Sequence, residues 1–70
     1  MTTFIISNPT NQHAAFYYNG RPVHVPMRDQ LTREAGLTTV LARDENTYQA
    51  LKAALDGPGR KLGLTYEIDA

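Results

Sequence analysis

The sequence predicts a small single domain of the α+β class, in which an antiparallel sheet packs against one or two helices. With 70 residues the chain can build one hydrophobic core but not two, so one domain is expected over residues 1–70. An Asn-Gly pair at 19–20 lies between two β-prone segments and predicts a hairpin. Residues 62–68 alternate apolar and polar side chains, as a strand with one buried face does.

The first third of the chain is predicted to be rich in strands. Residues 3–7 carry β-branched and aromatic side chains and precede a turn-forming cluster, which indicates a first strand. A two-residue type I′ turn at Asn19 and Gly20 then joins two further strands over residues 16–25. Pro22 cannot donate a hydrogen bond to a neighbouring strand, so the second of them is expected at a sheet edge.

The middle of the chain predicts a helix and a strand. Apolar residues recur every four residues from Met27, which favours a short helix over residues 29–35 with Gly36 as its left-handed cap. Residues 37–42 concentrate β-branched side chains and predict a strand, with a helix as the alternative.

The last third predicts a helix followed by a strand. Asp44 is expected to cap a helix that spans roughly residues 45–56. The glycines and proline at 57–59 are expected to end it, and the final strand is expected over residues 61–68. The side chains predicted to point inward from this strand are Leu62, Leu64, Tyr66 and Ile68.

Charge and composition narrow the classes of function. Seven Lys and Arg balance seven Asp and Glu, so the chain lacks both the basic excess of a dedicated nucleic-acid binder and the acidic excess of a DNA mimic. It has no cysteine, no apolar stretch long enough for a membrane span and no signal-peptide pattern, so a cytoplasmic protein is expected. Every charged side chain lies at or after Arg21, which leaves residues 1–20 as an uncharged flank through which homodimerisation stays open.

Catalytic, cofactor and metal sites are not expected. No pair of acids has a spacing that implies shared acid and base work, and the only serine, Ser7, lies in no nucleophile motif. The glycines at 57–59 follow a predicted helix, whereas a phosphate-binding loop places its glycines before one. The register counted from the hairpin turn puts His13 nearly diagonal to His24, but two imidazoles are too few for a zinc site. A non-enzymatic protein is therefore predicted.

Residues 33–40, with the sequence REAGLTTV, resemble the centre of a helix-turn-helix motif. In such motifs a first helix ends at a glycine turn and a second begins within about three residues. The resemblance implies a small DNA-binding regulator that uses residues 28–50, with phosphate contacts from Arg28, Arg33 and Arg43.

The uncharged flank carries the candidate partner-binding residues, which are Phe16, Tyr17, Tyr18 and, at its rim, Arg21. Three consecutive aromatic residues in a strand cannot all face one core, so at least one is expected on the outer side. An outward tyrosine buries a large area at an interface and loses few rotamers. Cross-strand packing within the hairpin is the alternative role.

These observations predict a module that binds another protein and occludes part of its surface. Free-standing domains of this size are often accessory subunits, or inhibitors that phages and mobile elements carry against host defence proteins, anti-CRISPR proteins being one such group. The expected partner is a protein, with no cofactor, no nucleic acid and no membrane. The small DNA-binding regulator is the alternative.

Overall fold

The computed structural model describes residues 1–69, so Ala70, the last residue of the predicted domain, lies outside it. Within these residues the chain forms β1 (Thr2–Asn8), β2 (Ala14–Tyr18), β3 (Arg21–Val25), β4 (Gly36–Ala42), α1 (Glu45–Ala54) and β5 (Thr65–Asp69). A π-helical turn, Leu55–Gly59, directly follows α1. The predicted α+β class, with antiparallel strands packed against a helix, is confirmed.

The strands form two antiparallel sheets, where the sequence had suggested one. β1 is the central strand of a three-stranded sheet in the order β4-β1-β5, and β2 pairs with β3 in a separate hairpin. The hydroxyl of Thr38 on β4 donates to the backbone oxygen of His24 on β3 at 3.1 Å, which links the two sheets. Among residues 1–69, β3 pairs with β2 alone, so the edge position predicted for the strand of Pro22 is confirmed.

One hydrophobic core lies between the sheets and α1. Alternation along β1 buries Phe4 and Ile6 completely. The ring of Phe4 lies 5.5 Å from that of Tyr48 on α1 and 5.8 Å from that of Tyr66 on β5, so it joins the central strand to both. The other buried members are Ala14, Phe16, Val23, Val25, Ala42, Leu51, Ala54, Leu55 and Leu64.

The helix predicted over residues 29–35 is wrong, because residues 26–35 form a loop. The carboxylate of Asp29 accepts hydrogen bonds from the backbone N–H groups of Leu31 at 2.8 Å and Thr32 at 2.9 Å. These bonds close a local turn that competes with helix formation. The side chain of Leu31 is 95% exposed, so the apolar residues spaced every four positions do not form a buried helix face here.

The helix-turn-helix resemblance is also wrong, because Gly36 begins β4 and residues 37–42 continue it as a strand. Gly36 does not adopt the left-handed conformation of a helix cap. It is buried beneath Pro26, and a Cβ atom at this position would overlap the Pro26 carbonyl oxygen. The close approach of two backbone segments is therefore what requires glycine here.

The start of α1 agrees with the sequence. Asp44 is the N-cap, and its carboxylate accepts a hydrogen bond from the backbone N–H of Thr47 at 2.7 Å. This bond satisfies one of the donors that a helix start leaves unpaired.

The α-helix ends at Ala54, near the predicted residue 56, but the expected break at residues 57–59 is wrong. The helical path continues through a π turn and resumes over residues 60–61. The π turn spans the position at which Pro58 cannot donate an α-helical hydrogen bond. The path ends at Gly63, which has a φ of 86°, and the N–H of Leu64 there donates to the Gly59 oxygen at 3.0 Å.

The C-terminal strand exists but occupies Thr65–Asp69, which is shorter and later than the predicted 61–68. Leu64 is buried just before the strand, and Tyr66 is half-buried within it and packs against the core, so both face inward as predicted.

The prediction for Leu62 is wrong, since its side chain is 41% exposed. Ile68 is 40% exposed, but it points to the inner side as predicted, because it lies opposite the buried Phe4 of β1. Leu62 belongs to the end of the helical path, where its N–H donates to the oxygen of Pro58 at 3.1 Å. Ile68 lies on β5, an edge strand that only β1 flanks among residues 1–69, so one side of it stays open to water.

Candidate partner-binding surface

The hairpin of β2 and β3 is built as its turn sequence predicts. Asn19 and Gly20 have φ angles of 49° and 74°, which are the positive values that a type I′ turn requires. The resulting register pairs Tyr18 with Arg21, Tyr17 with Pro22, and Ala15 with His24, as predicted.

The structure divides the four candidate partner-binding residues between the two sides of the hairpin. Phe16 is only 2% exposed and packs in the core, which corrects its assignment to a partner surface. Tyr18 points to the same side, is half-buried and packs against the core, and Arg21 is paired with it. Tyr17, in contrast, is 68% exposed on the opposite side. Strand alternation separates them, because successive side chains point to opposite faces.

We call the exposed side of the hairpin the outer face; its residues are His13, Ala15, Tyr17, Pro22 and His24. None of these residues is Asp, Glu, Lys or Arg. Burial of this face against a partner therefore removes water from no permanent charge, which keeps the desolvation cost low.

The two histidines of the outer face contact each other. Nε2 of His13 lies 3.1 Å from Nδ1 of His24. At this distance one nitrogen can donate an N–H to the lone pair of the other, and the tautomers decide which of the two is the donor. Sequence reasoning placed them near each other but left them out of the partner surface, although the turn register would have shown that they share a side with Tyr17.

The other side of the hairpin forms a polar cleft of about 390 Å³ with the start of α1. Its lining residues are Tyr18, Asn19, Arg21, Leu41, Arg43, Asp44 and Thr47. The hydrogen bond from the Thr47 N–H holds the pKa of Asp44 below its ordinary 3.8, so this carboxylate is ionised beside the two arginines. A cleft that holds charges of both signs is costly to desolvate, and it is therefore a poorer protein interface than the outer face.

A separate group of titratable side chains joins the end of α1 to β5. The hydroxyl of Tyr66 donates to Asp56 Oδ1 at 2.7 Å, and Lys52 Nζ lies 3.3 Å from Oδ2. The tyrosine hydrogen bond is the main cause that lowers the pKa of Asp56 below 3.8. A carboxylate with a lowered pKa carries no proton near neutral pH, which suits a structural contact better than acid-base catalysis.

Replacing Tyr66 with phenylalanine is expected to destabilise the protein in a pH-dependent way. The pKa of Asp56 is lowered in the folded state, so its stabilising effect is complete above 3.8, the ordinary value, and is lost as pH falls through the folded-state pKa. The stability difference between wild type and Y66F should therefore shrink as urea unfolding is repeated from about pH 6 to about pH 3. Tyr17→Phe, which removes a hydroxyl from the outer face, should show no such trend; a pH-independent difference for Y66F would contradict the prediction.

Comparisons of the chain with protein-family models, curated proteins and solved structures found no match. Over residues 1–69, no helix has the length and apolar character needed to cross a membrane. The class that the fold and the surface define is a small α+β domain with an exposed tyrosine on an uncharged hairpin face.

Proposed function

We propose that this protein is a non-enzymatic, cytoplasmic module that binds another protein and occludes part of its surface through the outer face. The observation that carries the proposal is the exposure of Tyr17 on a face without formal charge. A large aromatic ring in water gains free energy when a partner's pocket covers it, and its hydroxyl can still form a hydrogen bond at the pocket rim.

The hairpin supports this role because its inner side is anchored. Phe16 and Val23 lie opposite each other, and both are buried in the core directly behind the outer face. A face held in this way loses little conformational freedom on binding, so more of the contact free energy appears as affinity.

Within this class we propose an inhibitor of a host defence protein carried by a phage or mobile element, such as an anti-CRISPR protein. Such inhibitors act by covering a surface and need no catalytic motif. The support for this finer assignment is the small size of the chain and the lack of a catalytic motif in its sequence, not any individual residue.

Tyr17→Ala is expected to weaken partner binding by about 2 kcal/mol or more, roughly thirtyfold, with little change in stability. The test is an affinity capture from host lysate with wild-type protein as bait, followed by titration of the captured protein against purified variants. Tyr18→Ala is the matched control: it should lose stability through its half-buried ring and keep most of its affinity. Equal affinity of Y17A and wild type, for the captured protein and for self-association alike, would contradict the proposal.

The DNA-binding alternative has lost its structural basis, because the segment that resembled a helix-turn-helix is a loop and a strand. Retention on heparin tests it directly. A protein that binds the phosphates of nucleic acid is retained on heparin, and its retention falls steeply as the salt concentration rises. An uncharged interface gives no retention. Strong, salt-sensitive retention would favour the alternative.

A further inference from the structure

Two loops meet at the end of the sheet where β1 stops and β4 begins, and an open pocket of about 300 Å³ lies between them. Its lining residues are Asn11, from the loop after β1, and Arg28, Gln30 and Arg33, from the loop before β4. Two cations and two amides therefore line it, and no acidic side chain does. The pocket shares no residue with the outer face, so the inference drawn from it is independent of the proposed function.

Neither arginine of this pocket is neutralised by the chain itself. Over residues 1–69, the only ion pair within 4.0 Å joins Lys52 to Asp56. Two acids adjoin these arginines in sequence: Asp29, whose carboxylate accepts from two backbone N–H groups of its own loop, and Glu34, which forms no ion pair within 4.0 Å in the described residues. The positive charge in the pocket is therefore available to a ligand.

Arg28 is held in place and yet has incomplete hydrogen bonding. Its backbone N–H donates to the oxygen of Thr10 at 2.8 Å, and one terminal nitrogen donates to Asn11 Oδ1 at 2.7 Å. Its Nε is buried and has no hydrogen-bond partner in the chain over residues 1–69. A buried donor without a partner is rare in native proteins, and a bound water or ion is one of the groups that can complete its bonding.

Arg33 is presented by an unusual backbone conformation. Its φ is 65°, in the left-handed region that residues other than glycine seldom adopt. Backbone hydrogen bonds of 2.8 Å from Arg33 to Asp29 and from Asp29 to Glu34 close the loop around it. Such strain persists only where the surroundings impose it, and it is concentrated at ligand sites.

We propose that this pocket binds a phosphate monoester. Two guanidinium groups offer paired N–H donors and a charge of about +2, which matches the charge of about −2 and the three terminal oxygens of a monoester near neutral pH. The side-chain oxygen of Asn11 accepts the hydrogen bond from Arg28, so its amide nitrogen is a further donor. The side-chain amide of Gln30 is another donor in the pocket lining. A carboxylate offers fewer oxygens and half the charge, so it fits this donor set less well.

The test is a titration of the full chain with inorganic phosphate at constant ionic strength, followed by NMR of the backbone amides. We expect saturable shifts confined to residues near 11 and 28–33, and binding of acetate weaker by about tenfold or more. Arg33→Gln should weaken phosphate binding by about tenfold or more, because it removes one fork of charged donors from an exposed position. Arg60→Gln, which removes the same charge from an exposed arginine outside the pocket, should change it less than about twofold.

Titrations with adenosine 5′-monophosphate and O-phosphoserine test whether the monoester belongs to a nucleotide or to a phosphorylated side chain. The compound that resembles the natural ligand should bind more tightly than inorganic phosphate. Equal losses in R33Q and R60Q would reduce the effect to general attraction between charges and overturn the proposal. Acetate binding as tight as phosphate binding, or shifts that do not saturate, would overturn it as well.

Discussion

Gly36→Ala is expected to destabilise the protein by about 3 kcal/mol, a large share of the roughly 5–15 kcal/mol that a native domain holds. The added methyl group would overlap the carbonyl oxygen of Pro26, and backbone atoms cannot move aside as a flexible side chain can. Gly36 is paired with Asn8 at the end of the central strand. The overlap can be relieved only if the start of β4 leaves its pairing or the loop at Pro26 is displaced.

The measurement is urea unfolding of G36A followed by circular dichroism, with Gly57→Ala as the matched control. A methyl group at Gly57 meets no atom within 4 Å, so this variant should stay within about 1 kcal/mol of the wild type. If G36A proved as stable as G57A, the close contact between Gly36 and Pro26 would not exist in solution.

Asn8→Asp is expected to lower the free energy of unfolding by about 3–5 kcal/mol at neutral pH. Asn8 is completely buried, and its amide nitrogen donates to the backbone oxygens of Gln12 at 2.8 Å and Val25 at 3.3 Å. Its side-chain oxygen accepts from the N–H of Thr10 at 3.0 Å. Aspartate has nearly the same shape, but it replaces the donor with a charged oxygen that faces two carbonyl oxygens.

The N8D penalty should depend on pH with a defined sign. Burial and the facing carbonyl groups raise the pKa of a carboxyl group in this position, so protonation relieves the penalty as pH falls through that raised value. Urea unfolding near pH 7 and near pH 4.5 should show a smaller deficit at the lower pH. Asn46→Asp, in the exposed first turn of α1, should be neutral or slightly stabilising at both. A pH-independent N8D deficit would contradict this account.

The parts of the fold that depend on neighbouring residues in sequence were predictable. The Asn-Gly turn defines the hairpin register, because its positive φ angles are available to few other residue pairs. Asp44 defines the start of α1 by a bond to an N–H three residues away. The β-branched and aromatic side chains of residues 3–7 indicate the first strand, because their preference for extended backbone is local.

The parts that depend on distant residues were not predictable. The sequence does not distinguish a glycine that caps a helix from a glycine that packs closely against another backbone segment. The helix-cap role predicted for Gly36 was wrong for this reason. The apolar residues spaced every four positions up to Ala35 predicted a helix. They did not indicate that the Asp29 carboxylate would accept backbone hydrogen bonds and close a turn instead. At the candidate site, the sequence required one aromatic residue to face outward, but which one depended on where the core lies.

The position of β1 has a consequence for the order in which the protein can fold as it is synthesised. Of the five strands described, β1 leaves the ribosome first, and one of its two neighbours, β5, leaves it last. The hairpin at Asn19 and Gly20 needs only local contacts and can form early, whereas β1 keeps one open edge until residues 65–69 arrive. Until then its row of unpaired backbone groups is available to other chains, so every nascent copy passes through a stage in which premature release or crowding favours aggregation.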